Sequence, residues 1–338
     1  MPGKAAGRQR PSEFELIARL FAPLASKFPD AYGLEDDVAY LRVADGLLAP
    51  GEELVIKTDA LIASVHFLPD DPADLIARKL LRVSLSDLAA KGARPIAYTL
   101  ALMLPDSIDL AWLERFAEGL KQDQDEFDFV LAGGDTDRTP GPLSLSLTAI
   151  GAIPKGQRLL RSAAKTGDAI FVSGTIGDGA LGLKAIRAEI ADLSSTDKAY
   201  LAGRYRLPQP RLALGARLRA IAHAAMDISD GLVGDLQHIC DASRLGALIE
   251  SARIPLSPAG QAVTWMDAGL MECVLTGGDD YEILFTAEPS REASLVALGH
   301  ELGVPITRIG TMGEGKTACV VDREGRELTF AQTSYRHF

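Results

Sequence analysis

Helix-like and strand-like hydrophobic patterns alternate along the chain. Apolar residues from Leu75 to Leu88 recur at helical spacing, which predicts a long amphipathic helix over 71–92. The segment 143–150 begins Leu-Ser-Leu-Ser-Leu, and this alternation of every second residue is typical of a half-buried antiparallel strand. Both kinds of element are therefore expected in the first half of the chain.

The same patterns predict the remaining elements. Strands are predicted at 38–43, 53–58, 96–104, 127–132, 169–172, 225–228, 247–250, 281–286 and within 306–321. Helices are predicted after a capping box at 12–15 and at 110–124, 178–188, 197–205, 211–223, 230–243 and 291–302. Because strands and helices mix in both halves, we expect an α/β (α+β) protein with two mixed domains. The change of rhythm around 154–156 predicts a division into 1–152 and 153–338.

Composition and charge narrow the class of protein. The 338 residues suffice for two domains that each bury a core, and 47% hydrophobic with 24% charged residues is ordinary for globular proteins. A net charge of −11 argues against nucleic acid or an anionic membrane as the main partner. The three cysteines are isolated, and no secretory-type segment or long apolar run occurs. We therefore expect a soluble, cytoplasmic protein.

Six short acidic motifs carry the candidate chemistry. Each places Asp beside Gly, Ser or Thr at an expected strand end or turn. The motifs are 33–37, 57–59, 85–87, 133–136, 227–231 and 277–281. Carboxylates that lie close together repel each other, and Mg²⁺ is bound in proteins through carboxylates, waters and phosphate oxygens. Together, the motifs indicate a Mg²⁺-dependent enzyme that acts on phosphates.

Each motif also has a purely structural interpretation. Asp beside Gly is common in turns, Ser229 or Asp230 could be only the N-cap of the next helix, and His66 could be only a packed histidine. The chain contains no GxxxxGK[ST] loop, no dinucleotide-binding GxGxxG after the first strand and no protein-kinase, hydrolase-elbow or HExxH motif. No His, Cys or Lys stands out as a general base, so none is expected.

Taken in chain order, these motifs resemble the thiamine-monophosphate kinase family, in the superfamily that includes aminoimidazole ribonucleotide synthetase. The resemblance covers nearly the whole chain, and the segments 58–67 and 277–282 are similar to the kinase branch in particular. It implies ATP-dependent phosphorylation of thiamine monophosphate to thiamine diphosphate by direct in-line transfer, with several Mg²⁺ ions. It also implies a homodimer: strands of the ATP- and Mg-binding N-terminal domain join across the interface, and the C-terminal domain completes the cleft.

The resemblance assigns roles to individual residues. It implies a metal site that contains Asp37, Lys57, Thr58, Asp59, Asp87, Asp135, Asp227 and Asp230. It implies nucleotide contacts by Gly134, Asp135, Arg161 and Ser229. It implies substrate contacts by His66, Asp279 and Phe330, with Tyr335 as a second candidate aromatic residue.

Three positions depart from the family pattern. Glu35 stands where Gly is usual, Lys57 replaces a small hydroxyl residue, and Asp279 replaces Glu. Lys57 could compete with a metal ion or pair with a phosphate. Asp279 could bind the thiamine rings or only its own turn. Two other functions stay open: an enzyme like aminoimidazole ribonucleotide synthetase, and a nucleotide-binding relative without catalysis.

Overall fold

The computed structural model describes residue 35, residues 39–41 and residues 49–335. The capping box at 12–15, the helix expected after it and the candidate metal ligand Asp37 lie outside the described residues. Within the described ranges, no helix is long and apolar enough to cross a lipid bilayer.

The first domain is built on a five-stranded sheet with the strand order β1-β2-β5-β3-β4. Its strands are β1 (Ala39–Leu41), β2 (Glu52–Ile62), β3 (Arg94–Leu104), β4 (Val130–Arg138) and β5 (Ser144–Pro154). β5 is antiparallel to β2 and β3, whereas β4 runs parallel to β3. Leu145 and Leu147 are buried and Ser144 and Ser146 are partly exposed, so the predicted alternation is confirmed.

Two helices, α1 (Ala73–Ala90) and α2 (Leu110–Phe127), cover one face of this sheet. The side chain of Asp109 caps α2 by accepting a hydrogen bond from the Trp112 N–H at 2.8 Å. Side chains of both helices and of the sheet, including Leu80, Leu85 and Phe116, form a buried apolar core between them.

The second domain is built on a seven-stranded mixed sheet with the strand order β12-β11-β8-β10-β6-β9-β7. Its strands are β6 (Ala169–Ser173), β7 (Ala224–Asp227), β8 (Gly246–Glu250), β9 (Ile283–Ala287), β10 (Ile306–Gly313), β11 (Ala318–Val321) and β12 (Glu327–Leu328). Its helices are α3 (Asp178–Ile186), α4 (Ser195–Arg206), α5 (Leu212–Leu218), α6 (Leu232–Ser243), α7 (Pro258–Met266), α8 (Leu270–Thr276) and α9 (Glu292–Leu302). The predicted fold class, with two mixed α/β domains, is confirmed.

Three predicted strand ends are wrong: β5 continues to Pro154 instead of ending at residue 150, and the other two ends lie in candidate motifs. The strand expected to end at residue 58 continues to Ile62, and Gly133–Thr136 lies inside β4 instead of following a strand. β2 pairs with β5 and β4 pairs with β3 along these stretches, so tertiary pairing overrides the turn preference of Gly and Asp. Helices α7 and α8 were not predicted. The division after residue 152 stays a prediction.

Helix α1 lies between the two domains. Its C-terminal neighbour Lys91 donates a hydrogen bond to the backbone oxygen of Ala225 in β7 at 3.0 Å. Arg82 donates to the backbone oxygen of Pro208, between α4 and α5, at 3.1 Å. Because Arg82 and Lys91 are buried, these contacts fix α1 against the second domain as well as the first.

Candidate active site

Lys57 and Asp59 are two residues apart in β2, so their side chains point to the same face of the first sheet. This is the face that α1 covers. The Lys57 Nζ lies 3.1 Å from Asp59 Oδ1 and 2.8 Å from Asp87 Oδ2, near the end of α1. Ser84, also on α1, donates a hydrogen bond to Asp59 Oδ2 at 3.0 Å. The structure thus brings together three residues that the resemblance assigned to one metal site.

Asp227 joins this group from the second domain, at the end of β7. Ser86 of α1 forms a hydrogen bond with its carboxylate, and its negative charge acts on both Lys57 and Asp87. Lys57, Asp59, Asp87 and Asp227 are called the acidic cluster below. It lies at the junction of the domains, where a ligand can contact both.

Burial and mutual charge control ionisation in the acidic cluster. Burial raises the pKa of Asp87 well above its ordinary value; the Lys57 ammonium opposes this shift, and Asp227 and Asp59 add to it. Burial by itself would lower the pKa of Lys57, but the three carboxylates together raise it above the ordinary value. Lys57 is therefore a cation at neutral pH.

Asp235 of α6, which no sequence pattern singled out, holds the loop that carries Ser229 and Asp230. Its Oδ2 accepts hydrogen bonds from the N–H groups of Ser229, Asp230 and Gly231 at 3.0, 3.1 and 3.2 Å. Helix α6 begins after Gly231 without a side-chain cap, so the interpretation of Ser229 or Asp230 as its N-cap is wrong. Burial, with the charges of Asp230 and Asp227, raises the pKa of Asp235 well above its ordinary value.

Thr58 and Asp135 point to the other face of the first sheet. Successive side chains of a strand alternate between faces, and the Thr58 hydroxyl lies 2.8 Å from that of Thr148. Asp135 of β4 pairs with Ala101 of β3, and the same row of the sheet continues through β5 to Ala60 of β2. Three strand spacings separate β4 from β2 in this sheet. That separation is about 14 Å. The structure does not bring these two side chains to the acidic cluster, and their metal roles stay predictions.

Two further candidates for nucleotide contacts, Gly134 and Arg161, occupy different places in the structure. Gly134 lies in β4, where a Cβ would collide with the backbone of Leu100 in β3, so close strand pairing already requires glycine there. Arg161 lies in a 3₁₀ turn of the second domain, and its positive charge lowers the pKa of Asp227, against the larger effect of burial. Arg161 is therefore near the acidic cluster, whereas Gly134 is on an edge strand.

His66 is held by its neighbours just after β2. Its Nδ1 accepts a hydrogen bond from the Ile62 N–H at 3.0 Å, which places the ring proton on Nε2. Its backbone oxygen accepts a hydrogen bond from the Tyr205 hydroxyl at 3.4 Å. Ser64, two residues earlier, has a φ of 69°, which is uncommon for a residue other than glycine. The loop that presents His66 is thus ordered by specific contacts.

Asp279 is connected to His66 through two residues that the sequence did not indicate. Its Oδ1 lies 3.0 Å from the Nζ of Lys79 in α1, and this Nζ lies 3.7 Å from the centroid of the Tyr205 ring. The Asp279 N–H also donates to the backbone oxygen of Ser229 at 2.9 Å. Asp279 therefore contacts its surroundings through both side chain and backbone. A ligand that binds its carboxylate would also lie next to the ammonium of Lys79.

The backbone around Asp279 is strained. Asp279 and Tyr281 have φ values of 70° and 53°, in the left-handed region. Such conformations persist only where surrounding contacts enforce them, and they concentrate at functional sites. Backbone hydrogen bonds of 2.8 Å from Tyr281 to Ile228 and 2.9 Å from Ile228 to Glu282 supply this enforcement. The motifs 227–231 and 277–281 consequently form one rigid unit.

Glu282 anchors this unit to the helices of the second domain. Its buried carboxylate accepts hydrogen bonds from Ser173 at 2.6 Å, from Arg204 at 2.9 Å and from Arg211 at 2.7 Å. Glu282 follows the 277–281 motif directly, so the motif itself was a signal for it. Arg204 and Arg211 belong to no motif and could not be identified from the sequence.

Phe330 and Tyr335 lie in different surroundings. Phe330 is partly buried and packs against the apolar core of the second domain, and the next residue, Ala331, donates its N–H to Glu272 of α8. The Tyr335 N–H donates to the backbone oxygen of Asp230 at 2.9 Å, and its side chain is half exposed. Tyr335 is thus the candidate aromatic residue that borders the acidic loop, while Phe330 serves the core.

The arrangement of the His, Cys, Asp and Glu side chains indicates whether protein ligands alone can form a metal site. In the part of the chain that the structure describes, no three or more His, Cys, Asp or Glu side chains are arranged to hold a metal ion. The space between Asp59 and Asp87 is bridged by the Lys57 ammonium. The described residues therefore do not fit a metal held by protein ligands only, and the metal-ligand roles stay predictions.

Both domains match known family profiles. The profile of the AIR synthase related protein N-terminal domain matches residues 35–153, and that of the C-terminal domain matches residues 165–322. Together with the two mixed sheets and the acidic cluster at their junction, these matches define the class of AIR synthase related proteins.

Comparison with individual proteins narrows the class. The thiamine-monophosphate kinase of Escherichia coli (strain K12) is 46% identical over 338 residues, with 96% of this chain and 98% of the relative covered. A crystal structure of thiamine-monophosphate kinase from Stenotrophomonas maltophilia K279a is 40% identical, with a TM-score of 0.76, and covers 92% of this chain and 98% of that chain. AaThiL complexed with AMPPCP and TMP is 28% identical, with a TM-score of 0.84, and covers 98% and 100%. The chain belongs to the thiamine-monophosphate kinase family.

Proposed function

We propose that this protein transfers the γ-phosphoryl group of ATP to thiamine monophosphate and so forms thiamine diphosphate and ADP. The observation that carries this proposal is similarity over nearly the whole chain to thiamine-monophosphate kinases, which includes a structure complexed with AMPPCP and TMP. AMPPCP is a non-transferring analogue of ATP, so that complex contains the equivalents of both substrates. The synthetase alternative is not favoured, because these relatives are kinases.

The reaction needs no general base from the protein. A phosphate oxygen of thiamine monophosphate attacks the γ-phosphorus, the bond from this phosphorus to the β,γ-bridging oxygen breaks, and ADP leaves with the electron pair. The second pKa of a phosphate monoester is about 6, so the attacking oxygen is largely ionised at pH 7. Catalysis then rests on holding the two phosphates in line and on neutralising their charge.

Residues at the domain junction are proposed to hold the two phosphates and to neutralise their charge. Lys57 and Arg161 bring positive charge to the acidic cluster from the first and the second domain. Ser229 and Asp230 present backbone and side-chain groups from a loop that Asp235 holds in place. Mg²⁺ stays part of the proposal as the ion that accompanies ATP, whose phosphate charge it neutralises when bound.

The end of the substrate that carries the thiamine rings is proposed to lie near His66 and Asp279. The chain of contacts from His66 through Tyr205 and Lys79 to Asp279 supplies an aromatic ring, a cation and a carboxylate in one place. The phosphates cannot distinguish thiamine from other phosphorylated alcohols, so selectivity must come from this end of the site.

A homodimer and a cytoplasmic location complete the proposal. Strand β4 is at an edge of the first sheet, and every residue in it is exposed in the single chain, including Val130 and Leu131. An edge strand with exposed apolar residues is stabilised by pairing with another strand. A kinase that uses ATP is expected in the compartment that maintains ATP.

Incubation with ATP, Mg²⁺ and thiamine monophosphate should yield thiamine diphosphate and ADP in equal amounts. Asp59→Asn removes one charge from the acidic cluster and keeps an acceptor for Ser84, so it should reduce kcat at least about a hundredfold with the fold intact. Asp125→Asn, in an exposed ion pair with Lys121, is the matched control and should be fully active. Absence of thiamine diphosphate with well-folded wild-type protein would refute the proposed function.

A further inference from the structure

The proposed function does not explain why Lys57 lies between two carboxylates. Its Nζ contacts carboxylate oxygens of Asp59 and Asp87 at 3.1 and 2.8 Å, on a side chain with 18% exposure. These two carboxylates come from different elements, β2 and α1. Without a cation between them, they would repel each other in a partly buried place.

We propose that Lys57 is a tethered cation that takes the place of a divalent metal ion between Asp59 and Asp87. The proposal deepens the proposed function, since it concerns how the same site neutralises the phosphates of ATP. It predicts that this protein binds one divalent ion fewer per chain than a variant with a small side chain at position 57.

The geometry supports a position of the Lys57 ammonium between the two carboxylates, not to one side of them. Lys57 and Asp59 lie on the same face of β2, and the ammonium reaches across to α1, so it lies at the point where two carboxylates from different elements converge. Within the described part of the chain, no three acidic, His or Cys side chains are arranged so that they could hold a metal ion. A lysine inserted between two carboxylates is a direct reason for that absence.

Charge balance points to the same conclusion. The acidic cluster contains three carboxylates and one ammonium, whereas a small hydroxyl at position 57 would leave three carboxylates alone. Two carboxylates with a free space between them form the kind of oxygen-rich place that Mg²⁺ or Mn²⁺ occupies with added waters. Among the described residues, Lys57 forms ion pairs with Asp59 and Asp87, and a phosphate oxygen is a suitable acceptor for the third N–H of its ammonium.

The test counts bound Mn²⁺ without turnover. The purified protein, Lys57→Ser and Lys57→Arg are titrated with Mn²⁺ alone and then with AMPPCP present, and free Mn²⁺ is measured by electron paramagnetic resonance. Lys57→Ser should bind one more Mn²⁺ per chain than the wild type, whereas Lys57→Arg, which keeps the cation, should match the wild type. Lys121→Ser removes an exposed lysine from another ion pair and is the matched control.

A second change locates the added ion. Asp87→Asn in the Lys57→Ser background should abolish the additional Mn²⁺, because it removes one of the two proposed ligands. Circular dichroism and thermal unfolding establish that each variant is folded before the ions are counted. Equal stoichiometry in wild type and folded Lys57→Ser, or an added ion that survives Asp87→Asn, would overturn the proposal.

The outcome is independent of kinase activity. If no thiamine diphosphate is formed but Lys57→Ser gains an ion, the proposed function fails and the role of Lys57 stands. If wild-type protein is an active kinase and the ion count is unchanged, only the role of Lys57 fails.

Discussion

Lys79 and Asp279 form an ion pair across the domain boundary, with 3.0 Å between Nζ and Oδ1. The lysine side chain is only 3% exposed, whereas the aspartate side chain is 27% exposed. The two partners therefore depend on each other unequally. If Asp279 is removed, a buried ammonium loses its counter-ion, but if Lys79 is removed, the carboxylate can still be hydrated.

This inequality predicts the cost of each single change. Asp279→Asn should lower the free energy of unfolding by about 3 kcal/mol, the scale for a buried charge that loses its partner. Lys79→Met should lower it by about 1 kcal/mol, because Met fills similar space and the partly exposed carboxylate of Asp279 stays hydrated. Denaturant unfolding of both variants measures the difference. Equal costs, or a larger cost for Lys79→Met, would show that the exposure of the two partners does not decide the effect.

The proposed ring-binding role of His66 predicts a selective kinetic effect. In His66→Asn, the side-chain oxygen can still accept from the Ile62 N–H, so the turn is kept while the ring is lost. We expect KM for thiamine monophosphate to rise about tenfold and KM for ATP to stay within about twofold, since only one substrate loses a contact. Steady-state kinetics with each substrate varied gives both constants. A parallel rise in both would indicate that His66 only shapes the loop.

His238 of α6 predicts a pH dependence of stability. Burial and the positive charge of Arg161 lower the pKa of His238 to about 4, against the opposing effect of Asp241. The folded protein thus favours the neutral ring, so this contribution to stability is present above the unfolded pKa of about 6.5 and is lost as pH falls from 6.5 towards 4. The loss has an upper limit of about 1.4 kcal/mol per pH unit.

The variant His238→Gln removes the titrating group. Its free energy of unfolding should fall less steeply than that of the wild type between pH 6.5 and 4, as measured by urea unfolding at several pH values. His300→Gln, at an exposed position of α9, provides the control and should follow the wild type. Parallel curves for His238→Gln and wild type would mean that other groups control acid stability.

The exposed edge strand predicts how the proposed homodimer can be dissociated. Leu131→Lys places a charge on β4, where Leu131 is 49% exposed in the single chain. Charged residues on an edge strand oppose pairing with another strand, so light scattering should give the dimer mass for wild type and the monomer mass for this variant. Leu110→Lys, at a 71% exposed position of α2, should stay dimeric. A monomeric wild type would refute the dimer directly.

The sequence predicted well those elements in which the apolar residues form one continuous buried face. The helix expected over 71–92 is α1, and the alternating strand expected over 143–150 is β5. The ends of β2 and β4 were wrong because pairing with neighbouring strands carries both through Asp and Gly positions. Local residue preferences cannot reveal such long-range pairing.

The candidate site was predictable only in part, for a related reason. Asp59, Asp87 and Asp227 belong to recognisable motifs and come together as expected. Lys79 and Tyr205 lie in ordinary helical patterns, and their place beside Asp279 results from the packing of α1 and α4 against a loop of the second domain. No periodicity or motif encodes contacts of this kind.

Helix α1 also makes the two domains depend on each other. Leu80 and Leu85 of this helix pack in the core of the first domain, while Ala89 packs in a core formed with the second. Lys79 matches Asp279, and Lys91 matches a backbone oxygen of β7. A second domain without Asp279 could still offer the backbone oxygen to Lys91, but the buried Lys79 charge would lack its counter-ion and would oppose assembly of the two domains. The α1 residues that face the second domain are therefore expected to depend on specific residues of that domain, and the clearest case is the dependence of Lys79 on Asp279.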